Sequence, residues 1–211
     1  MDAELESMLD RADELIGDLE DEYKNCFKAK NITTRAQNLT HEVLEKLRHA
    51  LDHAMRGAWD KYVSPHLSEK DRNRARVYFP IVNDLPNFRS TLGRGAMKDL
   101  DKIQKNFYEF VLNKQPFSSN ENNWLDLLAK ISAEGKHVKL APQKLIKIPQ
   151  SKVSKPEVGS VSSDPFSVKS IKGEEIWFTF TLEDYGFNPL AFCKEISQNT
   201  RTLIEEMVTI I

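Results

Sequence analysis

A chain of 211 residues is one domain, or one domain with an extension. With 40% hydrophobic and 29% charged residues it is too apolar to be disordered, and 30 Lys+Arg against 32 Asp+Glu (net −2) argue against a strongly basic nucleic-acid binder. No apolar run is long enough to span a membrane, Met1-Asp2-Ala3-Glu4 is acidic where a signal peptide needs positive charge, and two distant cysteines make neither a disulfide scaffold nor a Cys-rich zinc site. A cytoplasmic, mostly helical protein without a membrane partner is expected.

Residues 3–30 carry the clearest helical period. Leu5, Leu9, Ala12, Leu15, Ile16, Leu19, Tyr23 and Cys26 recur at spacings of three and four. The opposite face is acidic, with only Arg11 as a cation in the first 22 residues, and is read as solvated. Thr33 or Thr34 caps a second helix running to about Val63, with Leu44, Leu47, Leu51, Ala54, Met55, Ala58 and Tyr62 as its apolar stripe. Such a stripe needs cover, because each large side chain contributes about 1.5–3 kcal/mol only when buried. The two helices are therefore expected as an antiparallel pair in a bundle.

Pro65, Pro80, Pro86, Gly93 and Gly95 break residues 64–96, leaving a short basic helical stretch within Leu67–Val77. A third long helix is predicted from about Met97 to Leu112 and a fourth from Trp124 to Gly135. Beyond Leu140, Ile146, Ile148 and Val153 sit in a β-like stretch, and Lys152–Asp164 reads as an exposed loop. Phe166–Ile171 and Glu175–Leu182 read as a hairpin, the latter alternating with a period of two. A last helix begins at Pro189, capped by Asp184 or Asn188. The expected fold class is mainly α: a helical bundle over residues 1–140, followed over 141–211 by a small antiparallel β-sheet and a C-terminal helix packed on the bundle, α+β overall.

Motifs for common chemistries are missing. There is no P-loop, no G-x-S-x-G elbow and no H-E-x-x-H, and Gly93-Arg94-Gly95 lacks the third glycine of a dinucleotide loop. No cofactor and no metal are expected. Both cysteines fall on apolar helix faces as inert thiols. On the second helix, a wheel at 100° per residue puts Arg48 inside the apolar stripe and Asp52 at its edge, while Glu42, His49, His53 and Asp60 share the outward face. An inward guanidinium needs a partner, and Asp52, four residues on, supplies it. That pair is read either as a structural ion pair or as part of a catalytic group with His53. His49 and His53, at i and i+4, give only two ligands of any metal site. A lysine-rich run follows: seven Lys between residues 130 and 155 against one acid, Glu134. Lys136, His137 and Lys139 within it are the expected nucleic-acid contacts.

Leu47-Arg48-His49-Ala50-Leu51-Asp52-His53 resembles an L-R-x-A-L-D-H run in a group of uncharacterised bacterial proteins. Further landmarks follow in order: Phe79-Pro80-Ile81, Gln115-Pro116-Phe117, Trp124-Leu125 with Leu127-Leu128, and Lys136-His137. The resemblance covers residues 40–140, and the group looks related to the HEPN superfamily of helical bundles. It implies an R-x(4–6)-H ribonuclease site, independent of metal, formed across a homodimer. Arg48 and His53 match that spacing. So do Arg35 and His41, so the ordered landmarks, not the spacing, carry the likeness. On this reading His53 is general acid or base, Arg48 stabilises the scissile phosphate, Asp52 accompanies them, and the partners are RNA and a second copy of the chain. The alternative is a non-enzymatic structural or interaction module.

Overall fold

The computed structural model describes residues 2–29, 31–134, 143–148, 166–169, 175–182 and 188–210. Two long helices open it, α1 (Ala3–Ala29) and α2 (Thr34–Tyr62). Asp2 starts α1, its Oδ1 accepting the Leu5 N–H at 2.7 Å. Thr33 is the cap of α2: its hydroxyl oxygen accepts the Ala36 N–H at 3.1 Å and donates to Glu22 Oε1 at 2.6 Å, so one residue closes the turn between the helices. The apolar stripes meet as the periodicity requires. Leu9, Leu19 and Tyr23 of α1 and Leu44, Leu47, Leu51 and Met55 of α2 are fully buried.

Shorter helices follow: α3 (Glu69–Arg74), α4 (Leu85–Arg94), α5 (Leu100–Ile103), α6 (Lys105–Asn113) and α7 (Asn123–Glu134). The expected helix over 97–112 is two pieces, because Gln104 leaves helical dihedrals (φ −147, ψ 81). The segment read as broken contains α4. Its Asp84 N-cap accepts the Asn87 N–H at 2.7 Å, and Pro86 sits in the first turn, where its missing N–H costs nothing. The last helix, α8 (Pro189–Ile210), starts on Asn188, whose Oδ1 accepts the N–H groups of Leu190 and Ala191.

Helix α8 packs on both α1 and α2 and buries Phe192, Cys193, Ile196, Leu203, Ile204 and Met207 in the same core. Its polar side meets the acidic face of α1. Lys194 pairs with Glu20 at 2.8 Å, Arg201 with Asp13 at 2.9 Å, and the Ser197 hydroxyl donates to Asp13 at 2.8 Å. Part of the face read as solvated is thus an interhelical contact.

The expected α+β class is corrected to all-α. Nearly all of the buried side chains among the described residues lie on helices, and the others, such as Phe79 and Pro80, lie in segments that join them. The segments β1 (Gln143–Ile148), β2 (Phe166–Lys169) and β3 (Glu175–Leu182) pair antiparallel in the order β1-β3-β2, with Leu145 opposite Phe180 and Val168 opposite Ile176. The physical reason is that the described core is built from helix stripes: α1, α2 and α8 cover one another. The expected loop 152–164 and the expected boundary at 140/141 lie outside the described residues. Among the described residues, no helix is long and apolar enough to cross a membrane.

Candidate functional site

The middle of α2 places Arg48 and Asp52 one turn apart, both about four-fifths buried (19% and 20% of the side chain exposed). Arg48 Nη2 donates to Asp52 Oδ1 at 2.9 Å and to the Phe79 carbonyl at 2.8 Å. The same Asp52 oxygen accepts the Phe79 N–H at 2.9 Å. Arginine preceding an acid by four residues is the weaker orientation for a pair within one helix. What locks this pair is therefore the backbone of Phe79, brought in from 27 residues beyond Asp52.

The logic is that of an extended segment without a strand partner. Residues 79–82 run through the interior, Phe79 and Pro80 being buried, and their polar groups must find partners. Asp52 and Arg48 take both backbone groups of Phe79. Gln115, fully buried, takes the next ones: its Nε2 donates to the Pro80 carbonyl at 2.9 Å and its Oε1 accepts the Val82 N–H at 3.2 Å. A further Nε2 contact reaches the Val111 carbonyl at 3.0 Å. Three of the ordered sequence landmarks, around Arg48, Phe79 and Gln115, thus meet in one hydrogen-bonded unit. The fourth lies close by, since α7 packs on α2 and buries Leu125 and Leu128.

Burial sets the electrostatics. It pulls Arg48 below its ordinary value against the opposing pull of Asp52, and it pushes the Asp52 carboxyl up against Arg48 and the Phe79 N–H. Arg48 Nη1 is buried and has no hydrogen-bond partner among the described residues.

A cleft of about 440 Å³ opens over this unit, lined by Glu45, Arg48, His49, Asp52, Tyr78 and Ser132 among others. His49 joins it and His53 does not. The nearest polar partner of His53 is Asp2, at the start of α1, with Nε2 to Oδ2 at 3.4 Å. Arg48 and His53 thus look to different neighbours, as their angular separation on α2 predicts. The outward face holds as read for Glu42, His49 and Asp60, which are exposed, while His53 is half-buried. His41, of the second Arg–His spacing, lies 3.5 Å from Glu45. Lys136, His137 and Lys139 lie outside the described residues. Among the described residues no three His, Cys, Asp or Glu side chains gather as a metal-binding group. The inert-thiol reading of Cys26 and Cys193 agrees with their burial, which pushes Cys193 up to about 12.

Sequence reasoning found the Arg48–Asp52 pair but missed Phe79 as its third member, and with it Glu45, Tyr78 and Gln115. The signal for Gln115 was present: a glutamine beside a proline after an amphipathic helix. Its partner, a stretch 33–35 residues upstream, carried no periodic mark. No protein-family model, curated protein or solved structure matches the chain.

Proposed function

We propose that this chain is a non-enzymatic helical module, in which Arg48 and Asp52 hold the fold together rather than act on a substrate. One observation carries the reading. Arg48 Nη2 is committed at once to Asp52 and to the Phe79 carbonyl, and Asp52 is committed in turn to the Phe79 N–H. A catalytic cation needs N–H groups aimed at the position where charge develops in the transition state. Here those of Nη2 are aimed at Asp52 and at the Phe79 carbonyl of the chain itself. The test is an RNA cleavage assay on single-stranded and hairpin RNA, with and without EDTA. No cleavage above buffer is expected. Cleavage lost in both Arg48→Ala and His53→Ala, each still helical by circular dichroism, overturns the reading.

A second reading retains the HEPN-like resemblance: a homodimer joined through α2 that binds or cuts RNA. The buried, partnerless Nη1 of Arg48 beside a cleft that also takes His49 favours it. On this reading sedimentation gives a dimer, and the chain shifts a labelled RNA in a gel only as that dimer. A monomer at all micromolar concentrations removes it.

A further inference from the structure

A second cleft, of about 550 Å³, lies between the 63–75 segment that includes α3 and the turn joining α4 to α5. It shares no residue with the cleft at Arg48. The chain as a whole is slightly acidic, yet residues 64–76 and 93–103 together hold seven Lys and Arg against four Asp and Glu. Arg74, Arg94 and Lys98 line the cleft and are exposed; Arg74 and Arg94 have no carboxylate partner among the described residues, while Lys98 lies near enough to Asp99 to help lower its carboxyl. Of the two acids that line it, Asp99 pairs with Lys102 at 2.8 Å, while Asp71 accepts the Ser68 hydroxyl at 2.7 Å and keeps its charge. Three cations line this concavity against two acids, one of them already paired with Lys102, and the remaining positive excess raises the local anion concentration.

The walls are built rather than incidental. The Arg76 N–H donates to the Arg94 carbonyl at 3.1 Å, joining the two segments. The buried Trp59 of α2 donates its Nε1–H to the Gly95 carbonyl at 2.8 Å, anchoring the turn to the core. Ala96, in the cleft wall, holds a left-handed φ of 56°, a conformation that a residue with a Cβ keeps only when its surroundings impose it. Leu67 and Ile103, the latter 40% exposed, add an apolar side.

We propose that this cleft binds a phosphomonoester, with the dianionic phosphate on Arg74, Arg94 and Lys98 and a small apolar body against Leu67 and Ile103. Guanidinium groups suit phosphate oxygens because they offer paired N–H donors. A terminal dianion matches a cleft lined by three cations better than a nucleic-acid diester does, since each diester brings only one charge. The phosphomonoester comes either from a free small molecule or from the 5′-phosphate end of an RNA.

The probe is phenyl phosphate, titrated into the full chain by calorimetry. Saturable binding is expected. Arg94→Glu and Lys98→Glu should each weaken it by about tenfold or more. Arg89→Glu, an exposed charge reversal on α4 outside the cleft, should leave it unchanged. All three sites are exposed, and equal melting temperatures verify that the variants are folded. Competition by a short 5′-phosphorylated RNA, but not by its 5′-hydroxyl form, assigns the RNA end as a source. No competition by either assigns the free small molecule. No saturable binding of phenyl phosphate, equal weakening by Arg89→Glu, or equal competition by both RNAs overturns the proposal.

Discussion

Truncating Arg48 to alanine removes the cation from a buried pair and strands two groups at once. Asp52 keeps the Phe79 N–H and the weaker attraction of His49, and the Phe79 carbonyl loses its donor at 2.8 Å. Removing one partner of a fully buried pair costs about 3–5 kcal/mol. With about a fifth of each side chain exposed, water offsets part of that, and about 2–4 kcal/mol is expected. In a chain of this length that lowers the melting temperature by roughly 5–12 °C. Urea denaturation of Arg48→Ala, Asp52→Ala and the double variant closes a cycle, and a coupling of about 1.5 kcal/mol or more is expected. The pH dependence has a definite sign. Burial raises the folded-state pKa of Asp52, and losing Arg48 raises it further. A carboxyl raised on folding adds stability below its unfolded value and loses it as pH rises through the folded one. The deficit of Arg48→Ala therefore shrinks as pH falls from 7 towards 4. Single-variant losses under about 0.5 kcal/mol with no coupling would refute the structural role, and so would a deficit that grows on acidification.

Three further outcomes follow from the same packing. Gln115→Ala leaves the Pro80 carbonyl and the Val82 N–H without their donor and acceptor, and a loss of about 2–3 kcal/mol in urea denaturation is expected. Thr33→Ala removes the α2 cap and the hydroxyl that donates to Glu22, and calorimetry should record a destabilisation of about 1–2 kcal/mol. Iodoacetamide at pH 8 should modify neither Cys26 nor Cys193 in the native protein and both in denaturant. Mass spectrometry reads the difference, and rapid native labelling of Cys193 contradicts a buried thiol held at about 12.

The contrast between Arg48 and α4 marks where reading by residue pattern succeeds and fails. A wheel of α2 is enough to turn Arg48 inward and to name Asp52, because both lie on one rigid helix. Asp84 followed by Pro86 is equally local and signals a helix start, but a reading that treats proline only as a breaker passes over it. The sheet errs the other way. Alternation in 175–182 reports a local period of two, which does not decide the fold class: the described core is built from helices.

Composition and periodicity alone determined a helical protein, the extents of α1, α2 and α8, the buried cysteines and the ion pair at the centre of α2. These rest on interactions within a few residues, which a repeat of 3.6 makes visible. Tertiary structure alone decided that Phe79 completes that pair, that Gln115 fastens the neighbouring backbone, that α8 takes up part of the acidic face of α1, and that two basic segments face each other across one cleft. Each of these joins groups tens to nearly two hundred residues apart, and such meetings are set by how whole helices pack their stripes.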